Sequence, residues 1–432
     1  MMIRESQQFA IQTMGGLLIG AGLLCSCSSG GGYVAPPPLP TIALPSGNAL
    51  EPYDAGDPAL SKPEGMALTA DGRAWVLLTN LDANYSVAGP AQIAGVVPNT
   101  GATTLIDLGA AGSGTPGADG GSDDRGCTNA GTVKNDNGDG LLIAACSGSY
   151  PLADGGADTR GRAVVQIDPV NNKLVHTLST AGVYGIAAGS FQPDAVAGGP
   201  SKIWIGDTFT PTLISVTRAT FTLADGASAS APPIALPCAD AADSYLYVAD
   251  LLANGNDLFA LCSGDPDGYI VQLDANTGAV KGTPQLVGAT PVAMALLGDG
   301  RIAVVNSIDE TLALVTPGGG ALSDGGTAGP KVQTKAYTCA QCQSLSDVKA
   351  RGLFVYLVDS STNTALKLDL SQTDPAKMLV NEVNTGDNSS PWAILPLDDN
   401  QALVSNNGLG ALVGVNFSTA ADAGTAGDAG SN

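Results

Sequence analysis

The stretches LLIAACSGSY at 141–150 and LFALCSGDPD at 258–267 carry one pattern, an apolar run ending in Cys-Ser-Gly, with Cys146 and Cys262 standing 116 positions apart. Each is followed by a second matching strand, VVQIDPVNNKLV at 164–175 and IVQLDANTGAVK at 270–281. Between them PDAVAGGPSKIWIGDTFTPTLISVT at 193–217 repeats the order strand, turn, strand, turn, strand, so the unit is about half of that spacing. Further copies open near Pro63, Pro291, Ser344 and Pro391, which makes seven. Within each, an apolar run, a turn such as ADGR, GDGR or DDNQ, and a β-rich run predict consecutive antiparallel strands.

A two-sheet sandwich shows the same local signals but has no need of a long-period repeat. Radial repetition explains both and leaves only short, protected strand edges. The expected fold is therefore all-β: a single seven-bladed β-propeller over residues 40–418, with six or eight blades as alternatives. The last unit lacks an outer strand, while PTIALPS at 40–46 is a strand without a blade, so an N-terminal strand is expected to close the ring. Composition agrees: 57 Gly, 27 Pro and 5% aromatic residues describe short strands divided by turns, and 44% hydrophobic residues argue against disorder.

VVNSIDETLALV at 304–315, VYLVDSSTNTALKLDL at 355–370 and LVSNNGLGALVGV at 403–415 resemble the YVTN-repeat family of bacterial extracytoplasmic β-propellers. That resemblance implies a seven-bladed ring, usually without assigned catalysis. Its motifs are structural, so they bear on fold more than on function.

The first residues read as an address. MMIRESQQFAIQTMGGLLIGAGLLCSC has Arg4 near its start and an apolar stretch from Gly15 to Leu24, too short for a spanning helix. LCSC at 24–27 resembles the box of a bacterial lipoprotein signal, although Cys25 is unusual at its place there. The resemblance implies a signal over 1–26, lipidation at Cys27, and sorting to the outer membrane because Ser28, not Asp, follows. Residues 27–39 read as a flexible Gly/Ser/Pro tether and 419–432 as a disordered Ala/Gly/Asp tail. The expected location is the cell envelope, with membrane attachment through lipid, facing the periplasm or the exterior.

A formal net charge of −22 with only 18 Lys and Arg excludes a nucleic-acid surface, which requires clustered cations. Six cysteines remain outside the signal, and an even number in an exported chain favours disulfides. The segment from Cys127 to Cys146 predicts a hairpin with those two opposed, Cys238 and Cys262 hold similar places two units on, and Cys339 and Cys342 are left as a pair. For the CAQC at 339–342, redox activity needs a βαβ setting and zinc needs more ligands than one histidine supplies.

The single histidine, His176, falls in an expected outer strand, which excludes a Ser-His-Asp triad or a multi-histidine centre. KNDNGDG at 134–140 lacks the twelfth-position Glu of a calcium loop, because Cys146 stands there, and reads as a hairpin turn. Trp75 and Trp204 at equivalent second-strand positions read as core. The positions opening each unit border the central channel, and they read as Glu64, Asn129, Asp194, Asp240, Val292, Asp347 and Trp392. The polar members and Trp392 are channel-binding candidates. PEGMALTADG at 63–72 resembles the blade opening of gluconolactonase-type propellers, which implies Ca²⁺ held by Glu64, Asn129 and Asp240. The functional expectation is a monomeric, noncatalytic binding or interaction module whose partner is an envelope protein or a small ligand. A Ca²⁺-dependent hydrolase or lactonase and an architectural envelope protein are the alternatives.

Overall fold

Among the described residues, twenty-nine strands form seven antiparallel sheets, in the computed structural model, around a central channel. The described residues are 39–45, 60–82, 87, 89–109, 126–136, 139–148, 161–180, 193–223, 233–238, 246–318 and 329–418. The blades start at the inner strands Pro63–Leu68, Ala130–Asn135, Pro193–Gly198, Tyr247–Asn254, Pro291–Leu296, Leu345–Arg351 and Pro391–Pro396. Cys27 and the expected signal, tether and tail lie outside the described residues, apart from Leu39 at the tether's end. Among the described residues no helix is long and apolar enough to cross a membrane.

The apolar second strands are explained by burial on both sides. In Ala74–Leu78, side chains alternate between faces with period two. Trp75 and Leu77 pack towards the second blade, while Ala74, Val76 and Leu78 pack towards the seventh. In Asp257–Ser263, Leu258, Ala260 and Cys262 face the third blade, and Phe259 and Leu261 face the fifth. A strand covered on both faces needs no polar alternation. The core consists of seven apolar clusters, one between each pair of neighbouring blades.

Ring closure follows the expected route. Ile42–Ala43 pairs antiparallel with Ala411–Asn416, Ile42 opposite Leu412 and Ala43 opposite Ala411. Ile42 and Leu44 enter the cluster between the seventh and first blades. An early segment of the chain thus completes the last sheet.

All three disulfides form, but they do not staple single blades. Cys127 bonds to Cys146, Cys238 to Cys262 and Cys339 to Cys342. Cys146 pairs in register with Ala130, so Cys127 lies beyond the strand end. Its backbone bonds Ala91 and Leu108 of the first blade at 3.0 and 3.2 Å. Cys238 follows Ile234–Ala235, which pairs with Thr212–Thr217 of the third blade, whereas Cys262 belongs to the fourth. The Cys339 N–H bonds Glu310 of the fifth blade, and Cys342 leads into the sixth. The bridges therefore mark the junctions of blades one and two, three and four, and five and six. Each lies within the apolar cluster of its junction.

The repeated turn residues also act between or along blades. In ADGR, Asp71 accepts the Thr69 hydroxyl at 2.6 Å and Arg73 Nε at 2.7 Å. Arg73 then reaches the second blade, bonding the Pro169 carbonyl and, at 2.6 Å, Asn172 Oδ1. Asp299 likewise holds Arg301 at 2.7 Å, and Arg301 reaches Leu370 of the sixth blade. The aspartate ending each QID, QLD or KLD run, at 168, 274 and 369, caps the following turn by accepting backbone N–H groups at 2.9–3.0 Å.

These bonds hold turn carboxyls below the ordinary aspartate value. Thr69 is the largest cause at Asp71 and Asn171 at Asp168. At Asp274, Asp299 and Asp369 burial alone would raise the carboxyl, and the turn hydrogen bonds outweigh it. A carboxyl with a depressed folded pKa contributes stability above its unfolded pKa and loses it as pH falls through the folded one. Asp136 acts in the opposite sense, since burial raises it despite the neighbouring Arg218. The melting temperature should accordingly fall as pH drops below about 4, and a combined Asp71→Asn, Asp299→Asn variant should show a shallower fall. An acid profile unchanged in that variant would contradict this role of the turns.

Candidate functional site

Antiparallel blades give the ring two ends. The links between blades and the second-to-third-strand turns share one, here the linker end; the other hairpins share the turn end. Each inner strand crosses the channel from the first to the second. In all seven, the pairing register shifts just after the opening residue, as between Pro291 and Ala293 or Pro391 and Ala393. Such a bulge re-aims the side chains that follow it.

The shift settles which opening residues are equivalent. Glu64, Asp194, Val292 and Trp392 fall at the bulge of their strands, together with Gly131, Ala249 and Ser346. Asn129 does not belong with them. It precedes its strand, as Lys62, Thr290 and Ser390 precede theirs, and all four have positive φ. Asn129 is buried within its own hairpin and donates to Ser147 Oγ at 2.7 Å. Asp347 lies one position further on, beside Asp250 in the fourth blade. Asp240 lies outside the described residues, and the fourth inner strand starts at Tyr247.

At the linker end Glu64 and Asp194 do approach one another. A Cβ at Gly131 would stand 3.1 Å from Glu64 Oε2 and 3.3 Å from Asp194 Oδ1. Asp194 also accepts the Thr208 hydroxyl at 3.1 Å. Among the described residues no three His, Cys, Asp or Glu side chains cluster as metal ligands would. His176 is an exposed residue of the outer strand Lys173–Ser179, its ring stacked on Phe221 at 5.2 Å. Trp75 and Trp204 are fully buried, as core residues.

The turn end holds a cavity of about 400 Å³ to which all seven inner strands contribute. Its walls include Met66, Val133, Leu252, Met294, Leu296 and Leu395, and its polar lining includes Lys134, Asn135, Lys349 and Arg351. Lys134 of the second blade passes the small residues Ala197 and Gly198 of the third and pairs with Asp250 of the fourth, also donating to the Leu251 carbonyl at 2.7 Å. The second Asp250 oxygen accepts the Met294 N–H of the fifth blade at 2.8 Å. Asp347 repeats this device, accepting the Ile394 N–H of the seventh blade at 3.0 Å and Lys349 at 2.7 Å. Arg351 pairs with Asp399 at 2.9 Å. Both aspartates are only 10% exposed, against 24% for Lys134 and 32% for Lys349.

The channel is thus graded, with carboxylates at the linker end and ammonium and guanidinium groups at the turn end. Sequence reasoning overlooked Lys134, Asp250, Lys349 and Arg351. Their one signal was Lys or Arg within a short inner strand, as in GTVKN and DVKAR, in a chain poor in cations.

No family model matches the chain, and neither does the sequence of any curated protein. Solved structures do. The catalytically inactive virginiamycin B lyase from Staphylococcus aureus with quinupristin is 12% identical, with a TM-score of 0.53 over 88% of this chain and 98% of that one. Hydrazine synthase of Kuenenia stuttgartiensis is 12% identical, with a TM-score of 0.55 over 85% and 99%. The Pan2 WD40 domain of Neurospora crassa is 11% identical, with a TM-score of 0.51 over 88% and 95%. At such identities the likeness is one of fold. The chain is a seven-bladed β-propeller, similar in fold to enzymatic and WD40 propellers alike.

Proposed function

We propose that the chain is a lipid-anchored propeller of the cell envelope that binds a ligand or a partner's segment in the turn-end cavity without transforming it. One observation carries the binding reading: about 400 Å³ of space walled by all seven blades, its lining shared almost equally between apolar and polar groups. That is the size of a small-molecule site. The resemblance to YVTN-repeat propellers and the lipoprotein-like LCSC at 24–27 support the envelope location.

A second reading keeps the ring as an enzyme, a hydrolase or lactonase that uses Ca²⁺ at the linker end. It is favoured by the likeness in fold to a lyase and a synthase and by the approach of Glu64 and Asp194 over Gly131.

Replacing Cys27 by Ala should abolish metabolic labelling by fatty acid and release the chain from membranes; labelling that persists through Cys25 would contradict the assignment. The two readings part on calcium. A ligand that binds only the folded state stabilises it by about 2.7 kcal/mol at a hundredfold excess over its Kd. The binding-module reading expects a melting temperature, in metal-free protein, indifferent to Ca²⁺ and to chelator. A rise with Ca²⁺ that Glu64→Gln removes would instead establish the enzyme reading's metal.

A further inference from the structure

Resting on the reading of the turn-end cavity as a binding site, we infer that its ligand is an amphipathic anion: a carboxylate head on an apolar body, the head held by Lys134 and Lys349. Charge distribution is the first ground. The chain carries a net charge of −22, yet this cavity is lined by Lys134, Lys349 and Arg351, with no carboxylate among its lining residues.

The aspartates that hold these lysines sit deeper and are occupied. Asp250 accepts the Leu251 N–H at 2.8 Å and the Met294 N–H at 2.8 Å in addition to Lys134. Asp347 accepts the Ile394 N–H at 3.0 Å as well as Lys349. Backbone N–H groups stabilise part of each carboxylate's charge, so each ammonium retains positive potential towards the cavity. Lys134 makes two of the three hydrogen bonds an ammonium can donate, which leaves one N–H for a ligand. Lys349 pairs with a residue of its own strand two positions away and is 32% exposed. It can turn to a ligand while Asp347 keeps its bond to the seventh blade.

The apolar part of the cavity sets the rest of the ligand. Met66 and Met294, which adapt to irregular shapes, stand with Val133, Leu252, Leu296 and Leu395 around the same space. Aligned at the bulge, the position three residues beyond it is Lys only at 134 and 349; elsewhere it is Ala67, Ala197, Leu252, Ala295 or Leu395.

Titration calorimetry on the full-length chain, with octanoate, octanol and octyltrimethylammonium as probes, tests this. Octanoate should bind one to one, weaken as salt is raised, and lose about tenfold or more in affinity in Lys349→Met and again in Lys134→Met. Lys349→Arg should restore most of the loss, and Lys173→Met, exposed at the start of an outer strand, should change nothing. Should Lys134→Met fail to fold, Lys349→Met and Arg351→Gln carry the test, because neither residue bridges the second and fourth blades. Octyltrimethylammonium binding as well as octanoate, octanoate affinity indifferent to the lysines, or no binding of octanoate would each overturn the inference. Octanol binding alone would do so while leaving the binding-module reading intact; exclusion of all three probes would count against both.

Discussion

The structure depends on one constraint: every sheet has two apolar faces, and a blade can cover neither face by itself. Alternation along Ala74–Leu78 sends Trp75 and Leu77 one way and Val76 and Leu78 the other, so each blade needs a neighbour on both sides. An open row would leave two end faces exposed to water, at roughly 25 cal/mol per Å² of apolar surface. Closing the row removes both ends. Ile42 and Leu44 complete that closure by lying in the cluster that joins the seventh blade to the first. The disulfides at three of the seven junctions reinforce contacts that packing already makes.

Closure has a chemical consequence at the axis. Seven inner strands converge there, and the bulge after each opening residue sets which side chains look along the channel. Small residues in the third blade, Ala197 and Gly198, leave room for Lys134 to cross to Asp250. Asp250 and Asp347 then carry each inner strand's contact forward to the backbone of the next blade. The same aspartates hold the lysines at the cavity, so blade-to-blade fastening and the charge of the site share their atoms.

Architecture was legible because a radial repeat leaves its period in the sequence. Seven units, the all-apolar second strands, the closing strand near Ile42 and the pairing of Cys127 with Cys146 follow from spacing and pattern. The site was less so. An inner-strand bulge moves side chains by one position, and it enters the sequence with no fixed residue: Pro-Asp-Ala at 193–195 and Ala-Gly-Thr at 130–132 make the same shift. Asn129 was therefore aligned with Glu64, although Gly131 is its equivalent. The disulfides misled in the same way, since a hairpin offers the nearest partner in sequence while Cys238 follows a strand on the preceding blade. Lys134 was hidden in a stretch that reads well as a turn, and its partner 116 positions away could not be known before the ring was closed.

If the ring is one unit whose closure builds the cavity, loosening the closing strand must be felt at the axis. Hydrogen exchange of the full-length chain with Ile42→Asp measures this directly. Faster exchange is expected in Ala411–Asn416 and also in the inner strands of the first and seventh blades, Pro63–Leu68 and Pro391–Pro396, which line the cavity. Faster exchange confined to residues 39–45, with both inner strands as protected as in the unaltered chain, would show that the cavity does not depend on closure and would contradict the account.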